Sequence, residues 1–257
     1  MTAPPATPRH ADLWAGVRQG VLVGAAVLVL TLPPAGLAKW GRPPAASTSS
    51  VSSAHVAPRE RLPEQADFAG HASSDDARQV ADWVARTGNN ESSPFVILDK
   101  RDARVFVFDA RGRLIDASPV LLGATPGDDS VAGIGTRAMS EVQQDEKTTP
   151  AGRFVSQPGR NASGEDVVWV DYNAAVSMHR VRPVDPKERR LERLASNDPR
   201  QRRISYGCIN VPVAFFDGVL QPAVGKRRAV VYVLPEVKPL EQVFAEAAKR
   251  SVQTNQM

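Results

Sequence analysis

The strongest constraint in the chain is a period of two that runs from Pro94 to Pro235. FVIL, DKRDA, RVFVF, DARGR and LIDASPVLLG follow one another as strand, turn, strand, turn, strand. Val, Ile, Phe and Leu fill the strands because such side chains suit a pleated, half-buried surface. Asp, Lys, Arg and Gly fill the turns between them. The same signal predicts strands at 167–172, 174–179 and 229–234, and a short helix near 213–220. The implied fold class is mainly β, a single domain of about 140 residues, a comfortable size for one core. Apolar residues are 42% and charged residues 23%, as in an ordinary globular chain, and 21 prolines exclude a coiled coil. The stretch GATPGDDSVAGIG (123–135) is rich in glycine, but no helix or lysine follows it. It reads as a flexible surface loop rather than a phosphate cradle.

The flanks are different in kind. Residues 1–38 hold the apolar run VLVGAAVLVLTL, preceded by Arg9 and Arg18 and closed by Pro33 and Pro34. A basic start, a short apolar core and small residues describe a signal peptide or an N-terminal membrane anchor, and both place the remainder outside the cytoplasm. Residues 39–74 are rich in Pro, Ser and Ala and read as a flexible linker, since they cannot bury enough apolar surface to offset chain entropy. Residues 75–93 are expected to be a helix and its lead-in. Ser73 or Ser74 caps it, Ala77, Val80, Trp83 and Val84 share one face, and Gly88 stops it. Residues 94–236 form the β domain, and 237–257 form a C-terminal helical tail. A net charge of +4 is compatible with an acidic partner, and no nucleic-acid motif accompanies it.

Chemistry concentrates in the β domain on one histidine, His179, and the chain's one cysteine, Cys208. A single cysteine allows no intrachain disulfide and no multi-cysteine zinc site. On composition alone a lone cysteine is more often a small buried hydrophobe, and a lone histidine a satisfied structural residue. The local pattern RISYGCINVP favours a nucleophile. Gly207 permits a sharp turn, and Asn210 is positioned to cap a short helix starting near Val211, with Pro212 in its first turn. Such a helix start would favour a thiolate, and a nearby imidazole would activate it further.

These elements resemble a known family. TTPAGRF (148–154), the strand-end histidine of SMHRV, and SYGCIN (205–210) are similar to the motifs of L,D-transpeptidase catalytic domains, over about 94–236. The resemblance implies an L,D-transpeptidase-like β-sandwich or mixed sheet with a few short helices. It implies that Cys208 is the nucleophile and His179 the general base and acid. Backbone groups of Tyr206 and Gly207, with that of Cys208, would serve the oxyanion, and the Arg180 carbonyl would orient His179. Ser205 and Asn210 are supporting motif positions. The implied substrates are peptidoglycan stem tetrapeptides, with release of D-alanine and transfer to an amine on a second stem, a lipoprotein or a D-amino acid. No metal or organic cofactor is implied. Three departures stand out. Tyr206 occupies the place of a second histidine, Arg180 the place of a glycine, and 29 positions separate His179 from Cys208, more than is usual.

Two rival readings have distinct signatures. A papain-like enzyme places cysteine before histidine, the reverse of this order, and a sortase carries Thr-Leu-x-Thr before its cysteine, where this chain has SYGC. A carboxypeptidase using water as acceptor, and a non-catalytic wall-binding module, keep the same motifs. The segment 181–204 is a basic helical insertion. With Arg180 it carries nine basic and four acidic side chains, with Asp185 as a cap, Pro186 at the first position, and Leu191 and Leu194 on one face. It reads either as a solvated helix or as a basic lid over the cleft.

Overall fold

A computed structural model describes residues 62–248. The chain divides into two units, Met1–Ala57 and Pro58–Met257, and all described residues belong to the second. The expected leader, 1–38, and most of the linker, 39–74, therefore lie outside the described residues. The end of that linker is not a free spacer: Phe68 is buried against Phe106 and Phe108, and Asp67 pairs with Arg113.

Helix α1 (Asp75–Thr87) starts where Ser74 accepts from the Ala77 N–H and ends at Gly88 in the left-handed conformation, φ +69°. Then come β1 (Phe95–Asp99), β2 (Arg104–Phe108), β3 (Leu114–Pro119) and the short β4 (Leu122–Gly123). After a long loop follow β5 (Gly152–Arg160), β6 (Asp166–Asp171) and β7 (Val176–Arg180). The insertion contributes α2 (Arg190–Ala195), β8 (Arg203–Ser205) follows it, and β9 (Ile209–Val211) comes directly after Cys208. A helical stretch of α3 (Val213–Phe215), a π-helical turn (Phe216–Leu220) and α4 (Gln221–Val224) leads to β10 (Ala229–Val233) and α5 (Leu240–Val243).

Eight strands form one mixed sheet in the order β3-β2-β1-β10-β5-β6-β7-β9, and β4 pairs with β8 separately. Leu121, just beyond one edge strand, exchanges backbone hydrogen bonds with Asn210 on the other edge strand. The sheet thus curls nearly into a barrel, which removes most of its open edge. The central strands are buried on both faces, and their alternation sorts them cleanly. Val96, Leu98, Val105, Val107, Val231 and Val233 enter the inner core with Met178, Ile209 and Phe216. Phe95, Ile97, Phe106, Phe108 and Tyr232 face outward and are covered by Ala77, Val80, Ala81 and Val84 of α1.

The tail at 237–257 is not an appendage as far as residue 248. Leu240, Phe244 and Ala247 are buried in the outer cluster, and the helix breaks at Phe244. The loop 123–151 is not free throughout either. Asp128 is buried, accepting from Lys100 Nζ at 2.7 Å and from the N–H groups of Glu236, Val237 and Lys238.

Candidate active site

β7 and β9 run parallel, with Met178 beside Ile209 and His179 beside Asn210. This pairing brings His179 to Cys208 although they lie 29 positions apart in the chain. The helix expected to begin near Val211 is absent. Residues 209–211 are a buried strand and the helical stretch begins at Val213. Cys208 therefore does not sit at a helix N-terminus, and Asn210 caps nothing. The run Ile-Asn-Val is β-prone and parallel pairing completes it, which outweighs the capping potential of a single Asn.

Gly207 makes the turn that presents the thiol. Its φ is +130°, and a Cβ there would lie 2.7 Å from the Thr148 carbonyl oxygen. A side chain is excluded by strain and by space together. The turn is braced on three sides. Ser205 Oγ donates to the Cys208 carbonyl at 2.6 Å and accepts from the Gly207 N–H at 3.1 Å. Thr149 Oγ1 donates to the Gly207 carbonyl at 2.9 Å and accepts from the Gly123 N–H. Asn210 Nδ2 donates to the Cys208 carbonyl at 3.3 Å. The TTPAGRF element thus meets the SYGCIN element through a buried threonine. Behind Thr149 lies Lys100, fully buried, whose Nζ donates to the Thr149 carbonyl and to Asp128, with Glu236 at 3.5 Å. Arg203 closes this group by pairing with Glu236 and donating to the Lys100 carbonyl. Sequence reasoning missed these four charges. Lys100 stands in the turn just after β1, where a lysine reads as solvated.

His179 Nδ1 lies 2.8 Å from the Arg180 carbonyl oxygen. A carbonyl only accepts, so Nδ1 carries the proton and Nε2 is left for Cys208. The Arg180 side chain turns away, pairing with Asp217 and stacking at 4.3 Å over Phe216. Burial pushes the His179 pKa down, but its hydrogen bond and charge interaction with Cys208 and its bond to Arg180 outweigh this, and the net shift is upward. Burial pushes the Cys208 pKa up, but His179 and the N–H and hydroxyl of Ser177 outweigh it, and the net shift is downward. Both shifts favour a thiolate–imidazolium pair. Ser177, with Oγ 3.8 Å from the sulfur, is a further site residue that sequence reasoning did not single out. It precedes the histidine by two positions, so it shares the histidine's face of the strand.

Cys208 and His179 open on a cleft of about 330 Å³ lined also by Met139, Arg182, Glu188, Arg190 and Tyr206. Tyr206 is partly exposed, with Lys147 Nζ 4.3 Å from its ring centre. The insertion reaches this cleft, but its helix starts later than expected: 186–188 are a 3₁₀ turn capped by Asp185, and α2 begins at Arg190. Leu194 packs with Leu121 and Val181, whereas Leu191 is exposed. The arginines are engaged internally. Arg190 pairs with Glu188 and donates to Asn210 Oδ1 at 2.6 Å, Arg189 pairs with Glu192, and Arg193 donates to two backbone carbonyls.

Among the described residues no three His, Cys, Asp or Glu side chains gather in a metal-ligating group, and no helix is long and apolar enough to cross a membrane.

A mixed-sheet β domain with a cysteine–histidine pair at one sheet edge is what fold and site define. No family model matches the chain, and no curated protein matches it. Many similar solved structures are L,D-transpeptidase catalytic domains. The L,D-transpeptidase of Xylanimonas cellulosilytica is 14% identical over 55% of this chain and 60% of that one, with a TM-score of 0.36. The catalytic domain of the E. faecium L,D-transpeptidase is 14% identical over 56% of this chain and 98% of that one, TM-score 0.32. The helical cell shape determining protein Pgp2 of Campylobacter jejuni is 15% identical over 71% of this chain and 65% of that one, TM-score 0.37. The chain spans 60% of the first of these structures.

Proposed function

We propose that the protein is an exported L,D-transpeptidase that acts on the tetrapeptide stems of peptidoglycan, held in the cell envelope with its N-terminal segment as leader or tether. The observation that carries this reading is the Cys208–His179 pair with Nδ1 tied to the Arg180 carbonyl. The motif resemblance of TTPAGRF and SYGCIN supplies the substrate class.

In the first half-reaction the Cys208 thiolate attacks the carbonyl of the third stem residue. Backbone N–H groups of the 206–208 turn stabilise the oxyanion. The Gly207 N–H is already given to Ser205 Oγ, so Tyr206 and Cys208 are the proposed donors. As the carbon–nitrogen bond breaks, Nε2 of the imidazolium passes its proton to the leaving D-alanine amine, and a thioester remains. In the second half-reaction an acceptor amine gives its proton to Nε2, attacks the thioester and expels the thiolate. Every step uses groups of this chain, and no cofactor enters.

The test is incubation of the protein with disaccharide-tetrapeptide and mass analysis of the products. Dimer with D-alanine release is expected, tripeptide alone would indicate water as acceptor, and an exchanged D-amino acid a third outcome. Cys208→Ala abolishes D-alanine release, and His179→Ala lowers it by about 10²–10⁴. Release by Cys208→Ala close to that of the parent would overturn the proposal.

A further inference from the structure

A second cavity lies on the same face of the sheet as the thiol, on the opposite side from the charged cleft. It measures about 540 Å³ and is lined by Val155, Gln157, Pro158, Gly159, Trp169 and Tyr172, among others. Register connects it to the site. Gln157 pairs with Trp169 across β5 and β6, and Trp169 pairs with Ser177 across β6 and β7. Directly paired residues project from one face, so Gln157, Trp169 and Ser177 form a row that ends at Cys208, where Ser177 Oγ meets the sulfur at 3.8 Å.

The cavity is shaped around an aromatic pair. The Trp169 indole lies against Gly159, where a Cβ would stand only 2.5 Å from Cδ1 and 2.6 Å from Nε1. Glycine at 159 is what lets the indole settle there. Tyr172 meets the indole edge-to-face at 5.3 Å and is 77% exposed. None of the lining residues is charged, in contrast to Arg182, Glu188 and Arg190 in the cleft across the thiol. A tetrapeptide stem ends in a free carboxylate, so an uncharged aromatic pocket does not suit that end. It suits the neutral, flat apolar face of a pyranose ring, with the Gln157 amide available to ring hydroxyls or an acetamido group.

The spacing agrees. From β9, which Cys208 directly precedes, to β6, which carries Trp169, is two strand separations, about 9–10 Å, and three extended residues span about 10 Å, which is the stretch of stem between the sugar and the scissile carbonyl. The geometry points to the Trp169–Tyr172 pocket as a glycan subsite that holds the sugar of the substrate strand while Cys208 acts on its stem. This rests on the proposed transpeptidase reading for its substrate, and deepens it.

Two measurements separate the ideas. The first is calorimetric binding of soluble glycan fragments made of N-acetylated aminosugars to the otherwise intact Cys208→Ala protein, which needs no turnover. Binding weakened about tenfold by Trp169→Ala and several-fold by Tyr172→Ala is expected, the scale of one aromatic contact. Tyr172 is exposed, so its variant folds even where the tryptophan variant does not. No binding by the parent protein, or equal binding by both variants, overturns the subsite whatever the catalytic result. The second compares kcat/KM on disaccharide-tetrapeptide and on sugar-free tetrapeptide. Tyr172→Ala should lower only the former. Equal losses on both would put peptide rather than sugar on the aromatic pair and overturn the inference, and absence of turnover on both in the parent would instead count against the transpeptidase reading.

Discussion

Replacing Lys100 with methionine tests how the interior holds the reactive turn. The lysine is fully buried, and its Nζ donates to Asp128 at 2.7 Å, to Gly127 O at 2.5 Å and to Thr149 O at 2.7 Å. Methionine matches its volume but leaves Asp128 and Glu236 without their cation and two carbonyls without a donor. Breaking a buried pair from one side costs about 3–5 kcal/mol. The three backbone N–H groups that still serve Asp128, and Arg203 on Glu236, favour the lower end. For a domain of this size each kcal/mol lowers Tm by about 2–4 °C, so a fall of roughly 6–12 °C is expected at the 3 kcal/mol end. Calorimetry at neutral pH reads it. Because the Thr149 carbonyl is released on the far side of the residue that holds Gly207, alkylation of Cys208 should slow as well. The double variant Lys100→Met with Asp128→Asn should recover part of the loss, since both charges then go. A fall below about 2 °C, the value of a surface substitution, would refute the reasoning. The acid limb gives the sign independently. Burial pushes Asp128 up, but Lys100 and the backbone N–H groups of Lys238 and Glu236 hold it at about 2, against 3.8 when unfolded. The unfolded chain takes the proton first, so this contribution is complete above about pH 4 and is lost as pH falls through about 2. In Lys100→Met the folded value rises toward the unfolded one, so this contribution shrinks and is exhausted at a higher pH.

Three further outcomes follow from the site. The rate of Cys208 alkylation by iodoacetamide should fall off at a pH below the ordinary thiol value of 9.0, and His179→Ala should move that midpoint up; an unmoved midpoint would dissolve the pair. Gly207→Ala, forced to φ +130° and toward the Thr148 carbonyl, should destabilise by about 1–3 kcal/mol in denaturant titration and depress alkylation; a neutral result would mean the turn can be made otherwise. Arg190→Gln should lower kcat with KM and its salt dependence little changed, because the guanidinium serves Glu188 and Asn210; a selective rise in KM at low salt would restore the basic-lid reading of the insertion.

The strand pattern, the α1 cap and stop, and the mainly β class were legible in the residues, because alternation, capping chemistry and glycine's left-handed freedom act over a few positions. Cys208 and His179 stood out by scarcity, and Gly207 by its place before the cysteine. What the residues did not disclose depends on contacts far apart in sequence. The strand at 209–211 forms because β7 lies beside it, and that partner overrides the capping signal of Asn210. Phe68, Phe244 and Ala247 come from segments that read as spacer and tail, yet they cover the outer face of β1, β2 and β10 because a strand buried on both sides needs a cover that composition cannot name. Lys100, Asp128, Glu236 and Arg203 look like solvated charges one by one, and only folding brings them together where each offsets another's desolvation. Local preferences are properties of short stretches of chain and can be read from them. Burial, register and charge pairing are properties of the folded sheet, and they decided which side chains stand around the sulfur.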